Sequence, residues 1–180
     1  MTDNATVRLR ALEPSDVEIL YQWENQMELW VVSNTLTPFS KLQIEKYIKN
    51  SALDIFQSKQ LRLMVEANEQ NNGFIPAGMI DLFDFDPYHS RAGVGIMVHA
   101  PFRGKGFASE ALNLFITYCF GHLGLHQLYC SITMDNHASI SLFERSGFEL
   151  TGIKKDWRKT SKGFKDEAFY QLIKNEKPGA

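Results

Sequence analysis

The sequence predicts an α+β fold. Strand-like segments follow one another at short spacing, two Ser-led capping boxes announce helices, and one long helical run stands between glycines. The 180 residues fit one domain, expected over 1–180 with its core from about 7 to 175. Hydrophobic residues make up 44% of the chain and charged residues 22%, an ordinary globular balance. The 13 Phe, 6 Tyr and 3 Trp supply bulky material for a core.

Taken in order, Val7 to Leu12 alternates apolar and charged residues, the mark of a half-exposed strand, and stops at Glu13-Pro14. Ser15-x-x-Glu18 then reads as a capping box opening a helix with Val17, Leu20, Tyr21 and Glu24. Met27 to Pro38 reads as an irregular, Trp-containing passage. A second box, Ser40 to Gln43, starts a helix with Ile44, Tyr47 and Ile48 on one side. Strands are expected at Leu61 to Glu66, Ala77 to Phe85 and Arg91 to Val98, with a turn by composition at 69–73. Gly106 to about His122 is the longest helical pattern, and Gly121 and Gly124 break it. Gln127 to Thr133 is a fifth strand, Ala138 to Ser146 a short helix, and Phe148 to Trp157 and Glu167 to Lys174 a closing hairpin. The sum is a sheet of about seven strands with about four helices.

Composition excludes several functions. A formal charge of -2 argues against general affinity for nucleic acid, which depends on neutralising phosphates. A local basic cluster, Lys154, Lys155, Arg158, Lys159 and Lys162, reads as solvated hairpin charge. The opening residues contain no apolar run of signal-peptide length, and no stretch approaches the roughly 20 apolar residues that span a bilayer. Cys119 and Cys130 are expected as buried free thiols in a reducing cytoplasm, and no Cys/His spacing resembles a metal site.

The most informative stretch is Arg103-Gly104-Lys105-Gly106-Phe107-Ala108-Ser109, between the fourth strand and the long helix. Two glycines let the backbone bend and approach a ligand, and the first helical turn offers unpaired N–H groups that suit a pyrophosphate. Arg103 and Lys105 add positive charge. A simple tight turn is the plainer reading of two glycines. A P-loop is excluded because Gly106 follows Lys105, and a dinucleotide fingerprint because Ser109 stands where its third Gly belongs.

These residues resemble the GNAT N-acetyltransferase superfamily. Arg103-x-x-Gly106-x-Ala108 matches its [QR]-x-x-G-x-[GA] signature, and Asn136 to Phe148 is similar to its second signature, N-x-x-S-x-x-L-[YF]-x-x-x-G-F. The resemblance covers nearly the whole chain and is closest to the branch acting on polyamines and on protein N-termini. It implies a GNAT-like mixed sheet splayed between strands four and five, with the pantetheine arm of acetyl-CoA held in the gap. Met97 and Val98 would pair with that arm, and Gly104, Lys105, Gly106, Phe107, Ala108 and Ser109 would hold the diphosphate beside Arg103. Asn136 would bond the arm or cap the short helix, and Phe143 would border it. The amine would attack directly in a ternary complex.

The catalytic pattern is broken at two places. Family members usually carry a Tyr acid where Phe143 stands and a Glu base where Gly93 stands. Ser139, one turn before Phe143, is the candidate donor to the departing thiolate, with a helix-start role as the alternative. Asp81 is the favoured carboxylate because it interrupts the apolar run Met79-Ile80-x-Leu82-Phe83; Asp84, Asp86, Glu24 and Glu28 are further candidates. His89 and His99 read as surface residues. Trp30, Ser33, Asn34 and Phe39 are placed around the acceptor, with Asp84, although Trp30 equally fits a core role. An acetyltransferase acting on a small amine or a peptide N-terminus leads, with a CoA-binding module of little catalysis as the alternative. Self-association as a homodimer is expected from the family.

Overall fold

Hydrophobic alternation is realised as seven strands: β1 (Val7–Ala11), β2 (Leu61–Asn68), β3 (Phe74–Asp86), β4 (Arg91–Val98), β5 (Gln127–Thr133), β6 (Glu149–Thr160) and β7 (Gly163–Ile173). The computed structural model describes residues 6–174 apart from 34, 52 and 69–72, and at 31 and 32 the backbone only. The strands form one sheet in the order β1-β2-β3-β4-β5-β7-β6. Every neighbouring pair is antiparallel except β4 and β5, which run parallel.

Six α-helices accompany the sheet: α1 (Val17–Glu24), α2 (Met27–Ser33), α3 (Lys41–Asn50), α4 (Ile55–Ser58), α5 (Phe107–Gly121) and α6 (His137–Arg145). Two more than the four expected are present among the described residues. The stretch read as irregular from Met27 holds α2, which is tied back where the Trp30 indole N–H donates to the Glu24 carbonyl at 2.8 Å. The one-turn α4 is capped by Asp54, whose carboxylate accepts from the Phe56 amide.

The box at Ser40 forms as expected, with Gln43 returning a bond to the Ser40 amide at 2.7 Å. The box at Ser15 does not. Pro14–Asp16 makes a short 3-10 turn, and Asp16 accepts from the Glu13 amide at 2.8 Å instead. Proline at the start of that turn has no N–H to lose, so the cap shifts back towards Glu13. The strands of the closing hairpin and β3 are all longer than their apolar patterns suggested.

Each face of the sheet is covered separately. Val65, Ile80, Leu82, Val94, Leu128 and Ile132 pack beneath α5, whose Leu112, Phe115 and Cys119 are fully or nearly fully buried. On the opposite face, Leu20, Trp23, Ile44 and Ile48 from α1 and α3 cover Met64 and Met79. Burial of a large apolar side chain contributes roughly 1.5–3 kcal/mol, so both layers clamp the sheet firmly. The middle of the sheet, where β4 meets β5, is left for the site.

Candidate active site

Parallel pairing of β4 with β5 is brief. It joins Arg91, Ala92 and Gly93 to Gln127, Leu128 and Tyr129 and then ceases. Beyond that point β4 follows β3 as far as Val98, while β5 follows β7 as far as Thr133. The two edges therefore diverge as a wedge. A cavity of about 190 Å³ fills it, lined by Val94, Gly95, Ile96 and Met97 on one side and by Cys130, Ser131, Ile132 and Thr133 on the other. Strand edges without a neighbour present backbone donors and acceptors that must be satisfied. An extended amide-bearing chain is the ligand shaped for that gap.

At the wide end of the wedge lies the glycine turn. Gly104 and Gly106 take φ values of 75° and 86°, a left-handed conformation that glycine adopts without penalty. The amides of Ser109 and Glu110 close onto the Gly106 carbonyl at 3.0 and 3.2 Å, which starts α5. The amides ahead of them point out of the helix end. A Cβ built at Gly104 or Gly106 would meet no atom within 4 Å, so the turn is open on that side. Arg103 is fixed there by its Nε, which donates to the Val98 carbonyl at 2.8 Å. Such a concave run of amides with partial positive charge fits a diphosphate.

On one side of β4, Arg62 donates to both oxygens of Asp81, at 2.5 and 3.0 Å, and to a Glu24 oxygen. Its guanidinium also lies over the Tyr47 ring, 5.1 Å from the centroid. Burial opposes the Arg62 charge, but Asp81 outweighs it and holds the guanidinium above its ordinary value. Glu24, Arg62 and Asp81 all face the cavity. Two carboxylates against one guanidinium leave net negative charge at this wall. On the other side of β4, Glu167 accepts from Arg158 at 2.5 Å and from Lys154 at 3.3 Å. Burial pushes the Glu167 carboxyl up, yet the Arg158 bond overrides it and keeps the group below its usual value.

A GNAT acetyltransferase domain matches residues 6–149 of the sequence. The chain belongs to the GNAT acetyltransferase family. It is an acetyl-CoA-dependent N-acetyltransferase, which decides between the two readings of the sequence in favour of an enzyme. Among its relatives, the spermidine N(1)-acetyltransferase of Vibrio cholerae is 28% identical, covering 83% of this chain and 82% of that one. The N-acetyltransferase p20 of Bacillus licheniformis, whose name carries no acceptor, is 27% identical over 95% of this chain and 94% of its own. A crystal structure of the Vibrio cholerae spermidine N-acetyltransferase with CoA and spermine superposes with a TM-score of 0.83. It is 23% identical and covers 94% of this chain and 96% of that one.

Within this acetyltransferase, the residues expected from the sequence, apart from Val98 and the turn at 103–109, which do not line the cavity, fall into three groups. Met97, Asn136, Ser139 and Phe143 line the cavity, as does Asp81. Asn136 also caps α6, its side chain accepting from the Ser139 amide at 3.2 Å, so the capping role accompanies its place in the cleft. The Ser139 hydroxyl has no protein partner among the described residues. Phe143 is buried edge-on against Phe148, with centroids 5.0 Å apart and an interplanar angle of 89°.

The second group lies apart. Asp84 sits at an irregularity between β3 and β4 with φ of 50°, accepts from the Tyr129 hydroxyl at 3.2 Å, and does not line the cavity. Trp30 also does not line it, and α2 contributes Leu29 and Ser33 instead. The third group is Asn34 alone, which lies outside the described residues. Gly93, where the family's Glu was expected, lies under the Phe83 ring, and a Cβ there would collide with it. Sequence reading missed Arg62, Arg158 and Glu167. Each sits in a strand whose polar residues look solvent-facing, and only a search for opposite charges on adjoining strands would have found them. No group of three or more His, Cys, Asp and Glu suited to a metal occurs among the described residues.

Proposed function

We propose that this acetyltransferase acts on a polyamine, moving the acetyl group of acetyl-CoA to a primary amine by direct attack in a ternary complex. The observation that carries the reading is the cavity wall at which Glu24 and Asp81 share one guanidinium, leaving negative charge beside an open wedge. A polycation is the acceptor that such a wall favours. The relationship to a spermidine N(1)-acetyltransferase and the likeness to a structure holding CoA and spermine support the same class.

The steps follow from the chain's own groups. The free edges of β4, from Val94 to Val98, orient the pantetheine arm, and the amides from Gly104 to Ser109 with Arg103 hold the diphosphate. Asp81 and Glu24 hold the incoming ammonium near Gly95, and its proton departs through water. Both Asp81 oxygens are engaged by Arg62, so this carboxylate contributes its charge while water carries the proton away. The amine nitrogen bonds to the acetyl carbon, the carbon–sulfur bond breaks, and the proton the nitrogen sheds reaches the thiolate through the Ser139 hydroxyl or water, which takes up one proton as it gives up another. Thiolate is a tolerable leaving group because a thiol has an ordinary pKa near 8.5, which reduces the demand on any acid. Self-association belongs to this reading, since a Vibrio cholerae spermidine N-acetyltransferase is dodecameric. So does a reducing cytoplasm, which suits free Cys119 and Cys130.

Release of CoA measured across spermidine, spermine, aminoglycosides, amino acids and N-terminal peptides tests the proposal. Spermidine and spermine are expected to lead in kcat/KM. Replacing Asp81 by Asn is expected to raise KM for spermidine by about tenfold, the effect of roughly 1.4 kcal/mol. Release with peptides alone would overturn the polyamine reading.

A further inference from the structure

Lys154 carries its ammonium into a box built from four other side chains. Its Nζ lies 3.3 Å from Glu167 Oε1 and 3.2 Å from Ser131 Oγ. The same nitrogen stands 5.1 Å from the ring centre of Trp157 and 5.4 Å from that of Phe169. Strand register assembles the group. Lys154 on β6 lies opposite Glu167 on β7, and Phe169 on β7 lies opposite Ser131 on β5. The box therefore spans three neighbouring strands on one face.

Two features connect the box to the reaction. Ser131 and Arg158 line the cavity in the wedge, so the box opens onto it across β4 from Glu24, Arg62 and Asp81. The Glu167 side chain is only 3% exposed, whereas that of Lys154 is 35% exposed. The carboxylate is fixed and dry, while the lysine that meets it has water within reach. Two aromatic faces and a buried carboxylate form a site for an ammonium and for little else. In the free protein the chain fills that site from its own sequence.

We infer that the box is a second ammonium subsite for the acceptor, and that Lys154 is its built-in competitor. This rests on the polyamine reading above. A polyamine whose primary amine lies in the wedge places its next ammonium between Glu167, Ser131, Trp157 and Phe169, and the Lys154 Nζ moves out to water. The exchange is like for like, one ammonium replacing another, so the Glu167 charge stays satisfied throughout. The displaced lysine regains hydration and rotamer freedom. Arg158 keeps the other Glu167 oxygen during the exchange, so the carboxylate is never left bare. A monoamine has no second charge to offer and leaves Lys154 where it is.

Steady-state acetylation of spermidine and of a linear alkyl monoamine, by the wild type and by the Lys154→Met variant, tests this. Methionine keeps the stem and removes the charge, and Arg158 still balances Glu167. The KM for spermidine is expected to fall about tenfold, equivalent to about 1.4 kcal/mol, with the monoamine KM unmoved. A second variant, Trp157→Ala, alters a residue that is 62% exposed and so leaves the fold intact. It is expected to raise the spermidine KM about threefold, within the range of an exposed cation–π contact. An unchanged or higher spermidine KM in Lys154→Met overturns the subsite, and so does an equal fall for both acceptors. No transfer to spermidine by the wild type removes the polyamine reading itself, and the subsite with it.

Discussion

The ring of Phe83 lies where a side chain on Gly93 would have to go, so the missing Glu at this position is a matter of packing as well as chemistry. Tyr129 stacks behind it, edge-on to Phe83 and nearly parallel to Phe169. An aromatic wall thus stands where the family's base was expected, and in the proposed mechanism the proton of the amine leaves through solvent near Asp81. Phe143 tells a similar story one strand further on, because its buried ring packs on Phe148 and has nothing to donate. Ser139 is a hydroxyl on the same helix that lines the cavity. If it supplies the proton to the thiolate, Ser139→Ala lowers kcat by about 100-fold, the low side of general acid catalysis. Affinity for acetyl-CoA, measured by calorimetry, stays within about twofold, since the amide bonded to Asn136 is retained. Adding Phe143→Tyr to that variant places a phenol in the cavity and is expected to recover part of the lost turnover. Turnover unaffected by Ser139→Ala would leave the serine with only its helix-start role.

At the scale of elements, the proposed diphosphate cradle lies at the junction of β4 with α5. Gly106 is the N-cap of α5 with φ of 86°, and a side chain in this conformation costs about 1–2 kcal/mol. Gly106→Ala is therefore expected to weaken acetyl-CoA binding by about tenfold, because the amides that face the diphosphate turn away as the backbone relaxes. Calorimetry reads this directly, and unchanged affinity with an unchanged melting temperature would count against the role. That junction was legible in the sequence: β4 and β5 run over the residues their apolar patterns indicated, and the glycines punctuate the turn between strand and helix. Burial on both faces makes central strands continuous and easy to read. The closing hairpin was read too short, because its alternation is written in charge. Lys154 and Arg158 pair with Glu167, and Lys155 with Asp166, so residues that look solvated are cross-strand ties. The helix α2 was missed because it is only seven residues long and follows α1 at once, and its Trp30 anchors to Glu24 through a single indole bond. Arg62 was missed for the same reason as the hairpin: an arginine in an alternating strand gives no sign that two acids await it.

Across the whole molecule, the sheet is tied near both edges by buried carboxylates. Beside β1, Arg10 bridges Asp16 and Glu66, and Arg8 joins Glu66 at 2.5 Å. Beside β6, Arg158 and Lys154 converge on Glu167. For Asp16, Glu66 and Glu167, burial pushes the carboxyl up, but the arginine bonds win and hold each group below its ordinary value. A carboxyl depressed in the folded chain binds fewer protons there than in the unfolded chain. Its contribution is present in full above the unfolded value, about 4, and is lost as pH falls through the lower folded value. The melting temperature is therefore expected to hold from pH 7 to about 5 and to fall steeply below about 4. Glu167→Gln separates one edge from the other. At pH 7 it removes the charge that the mostly buried Arg158 and the part-exposed Lys154 share, and breaking a buried pair costs about 3–5 kcal/mol. As pH falls through its lowered folded value the wild-type carboxyl loses its own charge, so the gap between the two proteins narrows. Parallel melting curves from pH 7 to 3, or a wild type indifferent to acid, would show that these buried pairs do not hold the edges of the sheet.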